Sequence, residues 1–255
     1  MSSTIDFSFT TRPLVPYAHD YRHGDAEPRH YHNCAQLVHT LSGVVRIETD
    51  AGHWIVPPGR GVWLPAGMPH ALQITGNVAA RTLFVDPLAR ADLPAICQVI
   101  QISPLLRELI VSALLLPESY SAGSRAERIY ELILDEIRVM NELPFSLPEP
   151  QSDALVALCR SVRAEPGENW SLENSARRLN ISGRTLTRRF CQETGLQFSD
   201  WVRRARLMEA LTRLASGDSV LTVSLELGYE SQSAFSAMFR RIMGVSPSDY
   251  FLVSS

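Results

Sequence analysis

Two groups of side chains in this chain could do chemistry. The first is rich in histidine: His30 and His32 stand two residues apart, Gln36 follows, and His70 lies further on. On a strand, residues i and i+2 project from one face, so His30 and His32 would present two imidazoles to the same space. Imidazoles ligate first-row metals and hydrogen-bond organic molecules, and a buried histidine can also be a plain core residue. The second group is rich in arginine. Arg184, Thr187 and Arg188 fall on one face of a helix, and so do Gln232, Ser233, Ser236 and Ala237. Arginine forks suit guanine edges and phosphates. The plain alternative for the first of these faces is a helical hairpin with solvated arginines.

The elements that would position the second group can be read residue by residue. Ser171 is placed as an N-cap, Leu172, Ala176 and Leu179 give a short helix its buried face, and Asn180 ends it. Ser182 then caps a helix in which Leu186 and Phe190 point inward, leaving Arg184, Thr187 and Arg188 outside. A short helix, a tight turn and a helix with arginine near its start is the helix-turn-helix arrangement. The design recurs. Ser219 opens a short helix with Val223 and Leu227 inside, Gly228 ends it as a left-handed stop, and Ser231 caps a helix with Phe235 and Phe239 inward. Between the units runs one long helix, Phe198 to Ala215, with Trp201, Ala205, Met208 and Leu211 on its apolar face. Such a connector can hold two recognition helices one DNA turn apart, ~34 Å.

The histidines lie in a different kind of sequence. Short apolar or alternating runs at Gln36–Leu41, Val44–Glu48, His53–Val56, Gly61–Leu64, Ala71–Ile74 and Ala80–Val85 are separated by Gly and Pro turns. Closely spaced strands of this kind predict a barrel or sandwich over about 14–88. The period then changes. Ile102, Leu105, Leu106, Leu109, Ile110, Ala113 and Leu114 share a helical face behind Ser103 and Pro104, an N-cap and first-turn pair. A second helix, from about Ala122 to Met140, carries Ile129, Leu132, Ile133, Ile137 and Met140. These stripes must cover the barrel, a second subunit, or both. Residues 141–150 hold three prolines and cannot keep a helix, so the interdomain linker is set at 141–152.

Composition bounds these readings. Apolar residues at 45% and charged residues at 20% are those of a folded globular chain and exclude wholesale disorder. The net charge of −3 is uneven: from Asp153 onward 13 Arg face 11 acids, while the part before it carries 11 Arg and 16 acids. The basic excess thus lies with the helix-turn-helix units, small but of the right sign for nucleic acid. No apolar run reaches the ~20 residues that span a bilayer, and Met1–Arg12 has no signal-peptide core. Cys34, Cys97, Cys159 and Cys191 are scattered without a CxxC pair, which predicts reduced, buried thiols in a cytoplasmic protein.

At this point the sequence is similar to a known family. Leu172 to Phe190, Gly195, Phe198, Trp201 and Arg206–Leu207 resemble the first half of the AraC/XylS DNA-binding domain. Leu227-Gly228-Tyr229-Glu230-Ser231-Gln232-Ser233-Ala234-Phe235, Phe239, Gly244-Val245-Ser246-Pro247 and Tyr250 resemble the second half. The resemblance covers about Leu155 to Tyr250. It implies base contacts by Arg184, Thr187 and Arg188 in the first unit and by Gln232, Ser233 and Ala237 in the second. Two departures bear on affinity. Ala237 stands where relatives often carry a polar or basic side chain, and Phe251 where an Arg often follows the Tyr.

The N-terminal half resembles a cupin over roughly 14–88, with Gly24, His30, His32, Gln36 and Gly43 as its first motif and Gly59, Pro65, Gly67 and His70 as its second. The face carrying His30 and His32 would then be the barrel interior, with His70 arriving from a second strand. Gln36 stands where metal-binding members have Glu, and Ile74 where they often have Asn. The set would hold a divalent first-row metal ion, line a pocket for a small-molecule effector, or form hydrogen-bonded core. Trp54 and Trp63 read as packing residues.

The expected fold class is α+β: a cupin-like β-barrel plus helical hairpin in 1–140, then an all-α domain with two helix-turn-helix units in 153–255. The resemblance implies a non-enzymatic transcription regulator, activator or repressor. Its expected partners are double-stranded operator DNA, RNA polymerase, a small-molecule or metal effector, and a second copy joined through 103–140. The competing reading is a metal-dependent cupin enzyme, against which stand the Gln at position 36 and the complete DNA-binding domain.

Overall fold

The computed structural model describes residues 3–5, 12–138, 142–143 and 145–252. Most of the polar stretch 1–12, the expected apolar contact of Met140, and the linker residues Asn141 and Pro144 lie outside the described residues. The chain divides into two compact units, one of Met1–Thr49 with Trp54–Pro144, the other of Asp50–His53 with Phe145–Ser255.

The first unit opens with β1 (Ser3–Ile5), β2 (Leu14–Tyr21), β3 (Ala26–His32), β4 (Ala35–Thr40), β5 (Val44–Thr49) and β6 (Gly52–Val56). It continues with β7 (Arg60–Leu64), β8 (His70–Thr75), β9 (Val78–Val85), β10 (Gln98–Gln101), α1 (Pro104–Ala113), α2 (Arg125–Arg138) and β11 (Glu142–Leu143). One sheet carries β1, β3, β8, β5 and β6 in that order, and the other β11, β10, β7, β4, β9 and β2. The pairing is antiparallel save for β1, which runs parallel to β3. Two sheets face each other in an open cupin-like sandwich, as the ring of His32 on β3 meets that of Phe84 on β9.

Strand alternation decides what each face does. Leu14, Ala35, Leu37, Trp63, Leu83, Val85 and Ile100 form one outer face of the second sheet, and they share a single hydrophobic cluster with Leu106, Leu109 and Ile110 of α1 and Ile129, Ile133 and Ile137 of α2. The helices therefore cover the sheet. Trp63 is fully buried in this cluster, its indole N–H donating to the Pro94 carbonyl at 2.8 Å. Not every apolar residue of the helical stripes is used: Leu105 is 50% and Leu132 45% exposed, and Leu114 is half-buried. Each sits at the margin of its stripe, where a hundred degrees per residue carries it off the sheet. The opposite parity, Gln36, Val38, Val62, Leu64, Thr82 and Phe84, points inward towards the first sheet.

The second unit contains β12 (Ser146–Pro148), α3 (Asp153–Ala164), α4 (Leu172–Arg178), α5 (Gly183–Thr194), α6 (Phe198–Ala215), α7 (Val220–Glu226), α8 (Gln232–Met243) and α9 (Pro247–Leu252). Leu186, Phe190, Trp201, Leu211, Val223, Phe235 and Phe239 make its buried interior. Leu172 and Leu179, expected inside, are half-buried because α4 is a two-turn helix seated mainly through Ser175 and Ala176. All four cysteines are free, but Cys191 is exposed on α5, against expectation, because it follows the inward Phe190 around the helix. Within the proline-rich stretch, Glu142–Leu143 and Ser146–Pro148 are extended.

Candidate functional site

Both helix-turn-helix units are built by the same local devices. The N–H groups of Asn174, Thr185, Thr222 and Ala234 donate to the hydroxyls of Ser171, Ser182, Ser219 and Ser231, at 3.2, 3.2, 3.0 and 3.2 Å. The turns are closed by residues with positive φ, Asn180 at 54° in the first unit and Gly228 at 77° in the second. Glycines in the left-handed region, Gly195 and Gly244, cap the C-termini of α5 and α8.

Several arginines of this unit are held by neighbours within it. Arg163 holds Glu149 at 2.7 Å, Arg203 pairs with Asp200, and Arg213 reaches Asp218 and Glu226 at 2.7 and 2.5 Å. Arg206 donates to the carbonyls of Pro166 and Glu168, and Arg178 lies over the Trp170 ring at 4.3 Å. These side chains are structural. Arg184 and Arg188, by contrast, are exposed on α5 and make no ion pair among the described residues. Thr187 is half-buried, and its hydroxyl donates to the Gly183 carbonyl of its own helix at 3.0 Å, so it offers a methyl more readily than an O–H. On α8, Gln232, Ser233 and Ala237 are exposed and Ser236 half-buried. They share one open groove with Arg240, which the sequence reading passed over although it stands three residues beyond Ala237 on the same helical face.

In the first unit the structure brings His30, His32 and His70 together. All three are at least 96% buried, with ring centroids 4.4 Å apart for His30 and His70, 4.9 Å for His30 and His32, and 5.5 Å for His32 and His70. One nitrogen from each lies within 4.8 Å of the others. Metal–nitrogen bonds of ~2.0–2.1 Å allow donors of one ion to stand up to ~4.2 Å apart, so small ring rotations would suffice. The tautomers are set by the backbone. His30 Nδ1 meets the Pro28 carbonyl at 2.8 Å and His70 Nδ1 meets the Met68 carbonyl at 2.9 Å. A carbonyl only accepts, so each Nδ1 carries a proton and Nε2 is the ring atom left to face the cluster. That atom of His70 is buried without a hydrogen-bond partner. Burial, ahead of the counteracting Met68 bond and the neighbouring His30 and His32, pushes the His70 pKa down to about 4, so the ring is neutral at neutral pH. The donor set fits a first-row divalent ion.

Gln36 lies on the inner face of the opposite sheet, paired with Phe84 and Leu64, and its buried Oε1 has no hydrogen-bond partner. His39, equally buried, has the other parity, and its Nδ1 is held by the Arg60 carbonyl at 2.9 Å. Two residues that sequence reasoning did not single out stand beside the histidines. Glu27 Oε2 is 3.5 Å from His30 Nε2, and the Tyr21 hydroxyl donates to Glu27 Oε1.

Residues 14–137 match the family model of the AraC-like ligand binding domain, and residues 175–252 match that of a helix-turn-helix domain. The HTH-type transcriptional regulator NimR of Escherichia coli K12 is 32% identical over 88% of this chain and 81% of its own length. The regulator RipA of Corynebacterium glutamicum is 34% identical over 41% of this chain and 31% of its own. Among solved structures, ToxT of Vibrio cholerae aligns over 95% of this chain and 99% of its own at 12% identity, with a TM-score of 0.40. Among the described residues no helix is long and apolar enough to cross a membrane. A match to the AraC-like ligand binding domain, a following match to a helix-turn-helix domain, and similarity to a transcriptional regulator along most of its length show that this chain belongs to the AraC/XylS family of transcriptional regulators.

Proposed function

We propose that α5 and α8 enter adjacent major grooves of an operator and that Arg184, Thr187 and Arg188, with Gln232, Ser233, Ser236 and Ala237, face the base edges. The observation that carries this reading is the placement of Arg184 and Arg188, exposed and close to the serine-capped N-terminus of the second helix of a helix-turn-helix unit. A helix N-terminus adds its own positive field towards phosphate. Residues 153–255 are the DNA-binding part, 1–140 the sensing and dimerising part, and 141–152 the link between them. Leu105 and Leu132, left exposed on α1 and α2, support a second copy docking there. An effector held among His30, His32 and His70 controls the regulator only through different affinities for two states of the protein. The donor chemistry favours a divalent metal ion over an organic molecule. The protein would act in the cytoplasm on RNA polymerase at its promoters, as a regulator and not as a cupin enzyme.

The test is binding of purified protein to DNA upstream of its own gene and the neighbouring gene, with and without chelator. Arg184→Ala and Arg188→Ala are each expected to weaken specific binding by ~1–3 kcal/mol. If neither alters discrimination between operator and random DNA, α5 is not the reading helix.

A further inference from the structure

We infer that Glu27, oriented by Tyr21, is the carboxylate ligand of a divalent first-row cation bound by His30, His32 and His70, taking the part for which position 36 offers only an amide. This rests on the metal-responsive reading of the first unit and adds the residue that supplies negative charge.

The argument begins with strand register. Glu27 pairs with Leu72 and His30 with His70, so three residue steps on β3 oppose two on β8. A β-bulge therefore occupies Pro28 and Arg29, a place where a strand tolerates proline. In a regular strand, residues three apart point to opposite faces. The extra residue cancels that alternation and turns Glu27 to the same inner face as His30, Leu72 and His70. The same bulge supplies the Pro28 carbonyl that fixes the His30 ring.

The donor atoms then converge. With Nδ1 engaged by the Pro28 carbonyl, His30 turns Nε2 towards Glu27 Oε2, 3.5 Å away. A cation or a shared proton joins such a pair. His70 Nε2, buried without a hydrogen-bond partner, lies in the same cluster. Tyr21 acts as the outer partner: its hydroxyl donates to Glu27 Oε1, leaving Oε2 for the ion. Glu27 is 36% exposed and reaches in from the rim, which gives the ion a path of entry. The competing arrangement is a simple ion pair, with a second proton on His30.

Zinc affinity of the full chain, read by competition with a chromophoric chelator, separates the two. Glu27→Gln should weaken Zn(II) at least tenfold, Tyr21→Phe should weaken it less but in the same direction, and Gln36→Ala should change it under twofold. The visible spectrum of the Co(II) form should shift in Glu27→Gln and keep its shape in Gln36→Ala. An unchanged or tighter zinc affinity in Glu27→Gln, with binding lost in His70→Ala, overturns the role of Glu27 and leaves a three-histidine site standing. No zinc uptake by the unaltered protein overturns both. Should Glu27→Gln not fold by circular dichroism, Tyr21→Phe, which keeps the carboxylate, decides on the same readout.

Discussion

The two helix-turn-helix units share a scaffold and differ in what they expose. Each has a short helix of 7 residues and a following helix of 12, each helix begins at a serine cap, and each second helix ends at a left-handed glycine. The outward face of α5 carries Arg184 and Arg188, whereas that of α8 presents Gln232, Ser233, Ser236 and Ala237 before any charge arrives at Arg240. Scaffolds built alike thus present different side chains. On the proposed reading the first unit would make charge-assisted contacts, whose strength depends on salt, and the second neutral hydrogen bonds and close apolar approach, whose value lies in discrimination.

The comparison can be broken most strongly at the turns. Gly228 has φ of 77°, and a Cβ there would press on the Gly167 carbonyl, while Asn180 holds the equivalent turn with a side chain already in place. Gly228→Ala should cost ~2 kcal/mol or more in chemical denaturation, and Asn180→Gly close to nothing. Next come the reading residues: the double change Arg184→Ala with Arg188→Ala should reduce the slope of log affinity against log salt by up to about 2, and Gln232→Ala with Ser233→Ala should leave that slope alone while relaxing sequence preference. The caps should be equal partners, with Ser182→Ala and Ser231→Ala each costing ~1 kcal/mol in thermal or urea unfolding. Smallest in effect, Ala237→Arg should make the second unit resemble the first, steepening the salt slope by about 1 and tightening binding to random DNA.

How much of this was legible in the sequence follows from the range of the forces involved. Caps, turns and helix faces are local, so Ser171, Ser182, Ser219, Ser231 and the bounds of α6 could be read from neighbouring residues alone. The β-rich first half followed by helices was equally visible in the change of hydrophobic period, and His30 with His32 in the strand alternation. Glu27 was not, because its facing depends on a bulge, and a bulge is a property of two strands, β3 and β8, distant in sequence. A proline within a strand, Pro28, was the available sign. The edge strand β2 and the short β10 carried too little alternation to stand out as separate elements. Exposure of Leu105 and Leu132 depends on where the sheet ends beneath the helices, which composition cannot say. Arg240, one helical turn beyond Ala237, lies outside the positions that the family resemblance supplies.

One contact between the halves of the second unit has a consequence for the DNA. At Gly167 and Gly228 main chain meets main chain, with the Glu226 carbonyl so near Gly167 that no side chain could intervene, and Arg206 ties down the carbonyls on either side of Gly167. Backbones in direct contact leave no side-chain layer between them. If both units read one operator, inserting a single base pair between the two subsites would turn one of them by about 35° around the duplex axis. On that reading, helical phase would itself be part of what the regulator recognises.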